Sequence, residues 1–186
     1  MNIAETAKMC AQDLEHVYEN LDNDQLENLK KQVLSAKKVY CAAAGRSLLA
    51  IRAIAMRFMH LGLESYVVGD TTTPAFEPDD ILIMASTSGE TSGLVLMADK
   101  AKKIGGKLAL ITASPESTLA KKADSVLIIP TKTANSDGFK NRATVLPAAS
   151  IFEQSVLIVG DAIVENMLAE TNISSEYKYT RHANLE

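Results

Sequence analysis

The chain has 186 residues, 47% hydrophobic and 23% charged, which fits one well-buried domain better than two. Its net charge of -4 and pI near 5.5 lack the basic field of a nucleic-acid-binding protein. Two cysteines make neither a disulfide framework nor a metal cluster. The sequence also has neither a signal-peptide pattern nor an apolar run long enough to span a membrane. We therefore expect a cytoplasmic protein with no nucleic-acid or membrane partner.

The first two predicted elements are amphipathic helices. Between Ile3 and Leu21, apolar residues recur three or four positions apart, which is the period of a helix with one buried face. A second helix is predicted from near Asn23, where Asn and Asp residues offer a cap ahead of further apolar positions.

From residue 38 onward, short continuous apolar runs alternate with helical ones. The runs predicted as strands are 38–44, 65–69, 79–86, 107–114 and 125–130. Helices are predicted at 47–62, 91–106 and 115–123, the last beginning at Pro115. Because continuous hydrophobicity marks strands covered on both faces, we expect a three-layer αβα sandwich with a five-stranded parallel sheet flanked by helices.

The remaining sequence completes a single predicted domain, residues 1–186. Residues 131–147 have neither period and are rich in Ser, Thr and Asn, so they are predicted to form a long loop, a type that is often functional. A helix resumes after Pro147, and a polar tail ends the chain.

Two predicted strand-to-helix loops combine small residues with hydroxyl groups. They are "AAAGRS" at residues 42–47 and "STSGET" at residues 86–91. Helix N-termini at the carboxyl ends of parallel strands favour anions, above all phosphates. Neither loop has the Gly-Lys-Ser/Thr of a Walker loop or the three-glycine dinucleotide spacing, so a sugar phosphate fits better than a nucleotide. The alternative is that the hydroxyls only cap helices and Gly89 only makes a turn.

Several motifs carry a family resemblance. "AGRS" and "STSGET", together with "AMRFMHLG", "SIFEQ" and the terminal "HANLE", resemble the 6-phospho-3-hexuloisomerase branch of the sugar isomerase (SIS) domain family over about residues 26–186. The resemblance implies a five-stranded parallel sheet, tetramers built from dimers, and interconversion of 3-hexulose 6-phosphate with fructose 6-phosphate in the ribulose monophosphate pathway. It implies no metal and no cofactor.

The resemblance also implies roles for individual residues. Glu153 and His182 would transfer protons, and the substrate and its phosphate would be held by Gly45, Arg46, Ser47, Ser86, the backbone at Thr87, Ser88 and Thr91. The alternatives are an isomerase for arabinose 5-phosphate or sedoheptulose 7-phosphate, and a non-catalytic sugar-phosphate-binding regulator.

Each proton-transfer residue also has a structural interpretation. Glu153 could complement the helix dipole in a first helical turn, and His182 could be a solvated tail residue. Arg46 could contact the substrate or form a salt bridge to Glu90, which is itself interpreted first as a helix-start residue. His16 and His60 are interpreted as structural or surface residues. Because the polar tail has little reason to fold over its own sheet, the tail sequence and the SIS resemblance together lead us to expect that Glu153 and His182 of one site come from different chains.

Overall fold

The computed structural model describes residues 2–131, 145–171 and 180–185. Most of the predicted loop 131–147 and of the polar tail therefore lies outside the described residues. The elements follow in the order α1 (Ile3–Tyr18), α2 (Asn23–Ser35), β1 (Val39–Ala43), α3 (Gly45–His60), β2 (Ser65–Val67), β3 (Ile81–Ala85), α4 (Ser92–Ile104), β4 (Lys107–Thr112), α5 (Thr118–Lys122), β5 (Ser125–Ile128) and α6 (Ala148–Thr171).

All the predicted helices and strands are present, and the start of α5 is the clearest error. The sequence places that start at Pro115, whereas the helix begins at Thr118. The side chain of Ser117 accepts a hydrogen bond from the backbone N–H of Ala120, at 3.3 Å. The hydroxyl cap therefore sets this helix start, and the proline lies in the preceding turn.

The strands form one parallel sheet in the order β2-β1-β3-β4-β5. Ala43 at the end of β1 pairs with Ala85 at the end of β3, and Ala85 pairs with Ile111 of β4. Carboxyl ends of parallel strands meet at one edge, so the loops that follow β1, β3 and β4 are neighbours.

Helices cover both faces of the sheet, which confirms the three-layer sandwich. Alternate strand residues such as Cys41 and Ile83 belong to a buried cluster with α1, α2, α3 and α6. The residues between them, such as Tyr40 and Leu82, belong to a second cluster with α4 and α5. Burial on both faces explains why the strands read as continuous apolar runs.

The long helix α6 packs closely along α3. Gly160 lies so near Ile54 that a Cβ atom at position 160 would overlap the isoleucine side chain. Close to that contact, Arg57 Nε of α3 lies 3.0 Å from Oδ1 of Asp161, the residue after Gly160 in α6. Within residues 2–131, 145–171 and 180–185, no helix has the length and apolar character needed to span a bilayer.

Candidate active site

A cleft of about 390 Å³ opens at the carboxyl ends of β1, β3 and β4. Its lining includes five of the predicted substrate- and phosphate-binding residues, namely Ser47, Ser86, Thr87, Ser88 and Thr91, but not Gly45 or Arg46. Ala44, Ala85, Leu94 and Ser114 complete the lining. The structure thus brings together hydroxyl groups from two loops that are about forty residues apart in sequence.

Internal hydrogen bonds build the loop that follows β3. Ser86 Oγ accepts the backbone N–H of Gly89 at 3.1 Å, and Ser88 Oγ accepts that of Glu90 at 3.2 Å. A hydroxyl that accepts in this way keeps its own hydrogen for donation to a ligand. The two serines can therefore shape the loop and also donate to an anion in the cleft.

The carbonyl of Thr87 fastens the same loop to the end of β4. It accepts hydrogen bonds from the Thr112 hydroxyl at 3.3 Å, the Ser114 hydroxyl at 3.1 Å and the Ala113 N–H at 3.2 Å. Sequence reasoning missed Ser114 because it was counted inside the strand, which ends at Thr112. A hydroxyl just past the carboxyl end of a strand was the signal that could have found it.

Glu90 supports the loop from outside the cleft. Its carboxylate accepts the backbone N–H of Thr118 at 2.7 Å, and that hydrogen bond lowers the pKa of Glu90. Glu90 thus links the loop to the start of α5. The suggested salt bridge between Glu90 and Arg46 is wrong, because Arg46 pairs with a different carboxylate.

The loop that follows β1 leaves its helix end open. Ala44 precedes α3 and makes no side-chain cap, and Gly45 begins the helix with φ +58. Ser47 is buried and lines the cleft. The first N–H groups of an α-helix have no partners within the helix, so this end can bind an anion.

Arg46, between the cleft-lining residues Ala44 and Ser47, contacts Glu153 of α6. Its Nε lies 2.9 Å from Glu153 Oε2, and its Nη1 donates to Ser150 Oγ at 3.3 Å. The Glu153 side chain is 15% exposed, against 62% for Arg46. Oε2 accepts no hydrogen bond from the described residues, so the contact is an ion pair without hydrogen-bond alignment.

Glu153 lies too far from the start of α6 for the helix-dipole interpretation. The helix begins at Ala148, so Glu153 is in the second turn, whereas dipole effects are confined to the first.

Asp13 of α1 is buried and accepts the backbone N–H groups of Val145 and Leu146, at 2.9 and 3.1 Å. These bonds fix the chain just ahead of the helix that bears Glu153.

His182 lies at the other end of α3 from the cleft. Its ring stacks on His60 with the centroids 4.1 Å apart and an interplanar angle of 19°. Arg46 and His60 are separated by about 21 Å along the helix, at 1.5 Å per residue. The structure therefore does not bring His182 to Glu153 of its own chain.

The interpretation of His60 as a structural residue fits its burial, since it is 3% exposed.

Among the residues that the structure describes, no group of three or more His, Cys, Asp or Glu side chains is placed to hold a metal ion. The polar groups that line the cleft are hydroxyls, which suit an oxyanion ligand.

Comparison with known proteins agrees with this geometry. The family model described as "SIS domain" matches residues 32–157, which include both cleft loops and Glu153. The chain belongs to the SIS domain family. The match spans the sheet, from the end of α2 to the first part of α6.

Relatives of similar length share much of this SIS domain sequence. The chain is 43% identical to a 3-hexulose-6-phosphate isomerase of Mycobacterium gastri, over 89% of this chain and 82% of the relative. It is 36% identical to a 3-hexulose-6-phosphate isomerase of Bacillus subtilis, over 89% of each chain.

The fold is also similar to that of a Methanococcus jannaschii protein, with a TM-score of 0.83 and 31% identity over 98% of this chain and 99% of that one. The crystal structure of that protein is described as inferring a molecular function of 3-hexulose-6-phosphate isomerase.

Proposed function

We propose that this SIS domain protein is a sugar-phosphate isomerase that interconverts D-arabino-3-hexulose 6-phosphate and D-fructose 6-phosphate without a cofactor. The observation that carries the proposal is the cleft in which hydroxyl groups from two strand-end loops converge, next to an arginine that contacts the Glu153 carboxylate. The two 3-hexulose-6-phosphate isomerases at 43% and 36% identity support this choice of substrate.

The phosphate at C6 would be held by the hydroxyls of Ser47, Ser86, Ser88 and Thr91, with the backbone at Gly45 and Thr87. Charge-assisted hydrogen bonds contribute about 1.5–3 kcal/mol each, so three or four of them suffice for micromolar binding. The dipole at the start of α3 adds to the attraction for the phosphate.

Glu153 would act as the base. Its carboxylate takes the proton from C2 of the 3-ketose while the C3 carbonyl becomes a hydroxyl, which gives a cis-enediol. The same carboxyl returns the proton to C3 as the C2 oxygen loses its hydrogen, and the product is the 2-ketose. A second group must handle the hydroxyl proton, and His182 is proposed for that role.

His182 would come from a second copy of the chain, since its ring lies against His60 at the remote end of α3. Closed symmetric oligomers make such an exchange reciprocal. We further propose that the protein is cytoplasmic and works as a homotetramer, a dimer of dimers with sites near the subunit interfaces.

The direct test is to supply 3-hexulose 6-phosphate in the presence of EDTA and to measure fructose 6-phosphate by a coupled dehydrogenase assay. We expect turnover that is unaffected by the chelator. Parallel assays with arabinose 5-phosphate and sedoheptulose 7-phosphate test the alternative isomerases. Tight sugar-phosphate binding without turnover of any of them would instead indicate the regulator.

The shared site is tested by mixing inactive variants. Glu153→Gln and His182→Asn proteins, unfolded together and reassembled, should regain about a quarter of wild-type activity, since half the dimers are mixed and one of their two sites is intact. Mixed oligomers that stay as inactive as the parents would show that His182 acts in its own chain or not at all.

A further inference from the structure

One stripe of α3 is spaced for packing against another helix. Arg46, Leu49, Ala53, Met56 and His60 follow one another at intervals of three, four, three and four residues, the spacing of a helix–helix seam. Leu49 is 68% exposed and Met56 is 49% exposed. In the described part of the chain, therefore, no segment buries the Leu49 and Met56 side chains in the middle of this stripe.

The neighbouring helix α6 extends the same apolar face. Leu157 lies one helical turn after Glu153 and one before Asp161, and both carboxylates pair with arginines of α3. Leu157 and the adjacent Ile158 are 38% and 42% exposed. Both of these packed helices thus expose apolar side chains, and clustered exposed apolar side chains are typical of a protein–protein contact.

The two ends of the stripe carry complementary parts of the proposed site. Arg46 at one end contacts Glu153, and His60 at the other end contacts His182. A two-fold axis through Ala53 would reverse the stripe, so that position 46 of one copy faces position 60 of the other. The reversal would bring the histidine pair of each copy to the Glu153 of its partner.

We propose that this α3 stripe is the contact with a second copy of the chain, packed antiparallel, and that His60 is the positioning residue that holds His182 against the partner's Glu153. The inference rests on the proposed isomerase function for the role of His60 but not for the contact itself. A stacked imidazole restricts the rotation of the exposed His182 ring, which removes part of the entropy cost of placing it correctly.

Cross-linking tests the contact independently of any activity. In a Cys10→Ser background, Ala53→Cys should give an interchain disulfide on mild oxidation, because position 53 lies beside its own copy at the axis. Leu96→Cys is the matched control, since Leu96 is 64% exposed on α4, in the opposite helix layer. Efficient cross-linking of both variants, or of neither, would contradict antiparallel packing of the α3 stripes of two copies.

Mixed oligomers test the role of His60. His60→Ala is expected to lower kcat by about tenfold or more with little change in KM. Reassembled with Glu153→Gln, it should recover activity, because one site then has an intact glutamate from one chain and both histidines from the other. Reassembled with His182→Asn, it should recover none, since both defects then lie in the same half of every site. Recovery in both mixtures, or in neither, would contradict the proposed pairing.

His60→Phe separates positioning from simple filling of the core. Phenylalanine keeps a flat ring for stacking, so this variant should retain most of the wild-type kcat and the same pH profile. An equal loss of kcat in the Phe and Ala variants, with unchanged thermal stability, would show that ring stacking is not what matters. If wild-type protein isomerises none of the sugar phosphates but Ala53→Cys still cross-links, the proposed function fails while the α3 contact stands.

Discussion

The two cleft loops differ in how their conformations are fixed. The loop after β3 is held by its own hydroxyls, by β4 and by the start of α5. The loop after β1 has no side-chain cap, and its one charged side chain is paired with Glu153 of α6. The first arrangement holds hydroxyl donors at fixed positions, whereas the second links the proposed phosphate site to the proposed base.

The largest effect is expected at the carboxylate coupled to the β1 loop. Glu153→Gln keeps the shape of the side chain but cannot accept a proton, so kcat should fall by about 10²–10⁴ with KM nearly unchanged. Steady-state kinetics with 3-hexulose 6-phosphate measure both. The control is Glu165→Gln, an exposed position on the same helix. Equal kcat for the two variants would remove Glu153 from the chemistry.

Glycine substitutions should show that the β3 loop is the more tightly packed. At both Gly45 and Gly89 φ is positive, which costs other residues about 1–2 kcal/mol. A Cβ at position 89 would also overlap the Ser117 side chain, whereas one at position 45 meets nothing within 4 Å. Gly89→Ala should therefore lower Tm by clearly more than Gly45→Ala. Equal shifts in thermal unfolding would mean that the two loops are equally constrained.

Smaller losses are expected from single hydroxyls of the β3 loop. Ser86→Ala or Ser88→Ala should raise KM by about tenfold or more, because each loses a hydrogen bond to a charged oxygen of about 1.5 kcal/mol or above. Ser92→Ala, just beyond the cleft lining, serves as the control. Wild-type KM in both cleft variants would mean that these serines only cap the helix.

The smallest effect concerns the strand beneath the β1 loop. Burial raises the pKa of the Cys41 thiol to about 12, so almost no thiolate forms at pH 8. We expect an aromatic disulfide reagent to label Cys10 alone in the native protein and both cysteines in denaturant. Rapid labelling of both in the native state would show that β1 opens easily.

The sequence allowed most of the fold to be predicted, because parallel strands buried on both faces leave continuous apolar runs. The start of α5 was misplaced because a proline at the first helical position and a proline in the preceding turn look alike in sequence. The hydroxyls of both loops were identified correctly as neighbours, since strand ends meet at one edge.

Contacts between distant segments were not predictable in the same way. The Arg46–Glu153 pair depends on how α6 lies along α3, and nothing local to either residue encodes that packing. The sequence suggested either a substrate contact for Arg46 or a salt bridge to Glu90, an acidic residue in the other loop. The contact between His60 and His182 escaped for the same reason, because it depends on the path of the tail.

The close approach at Gly160 has a consequence for anyone who wishes to redesign this enzyme. That glycine lets α6 approach α3 and so affects how near the proposed base, Glu153, lies to the loop after β1. It is about 10.5 Å along the helix from Glu153 and does not line the cleft. A mutant library restricted to cleft residues would therefore leave out a position that affects the spacing between the proposed base and the proposed phosphate site, where even alanine would force Ile54 or the helices to shift.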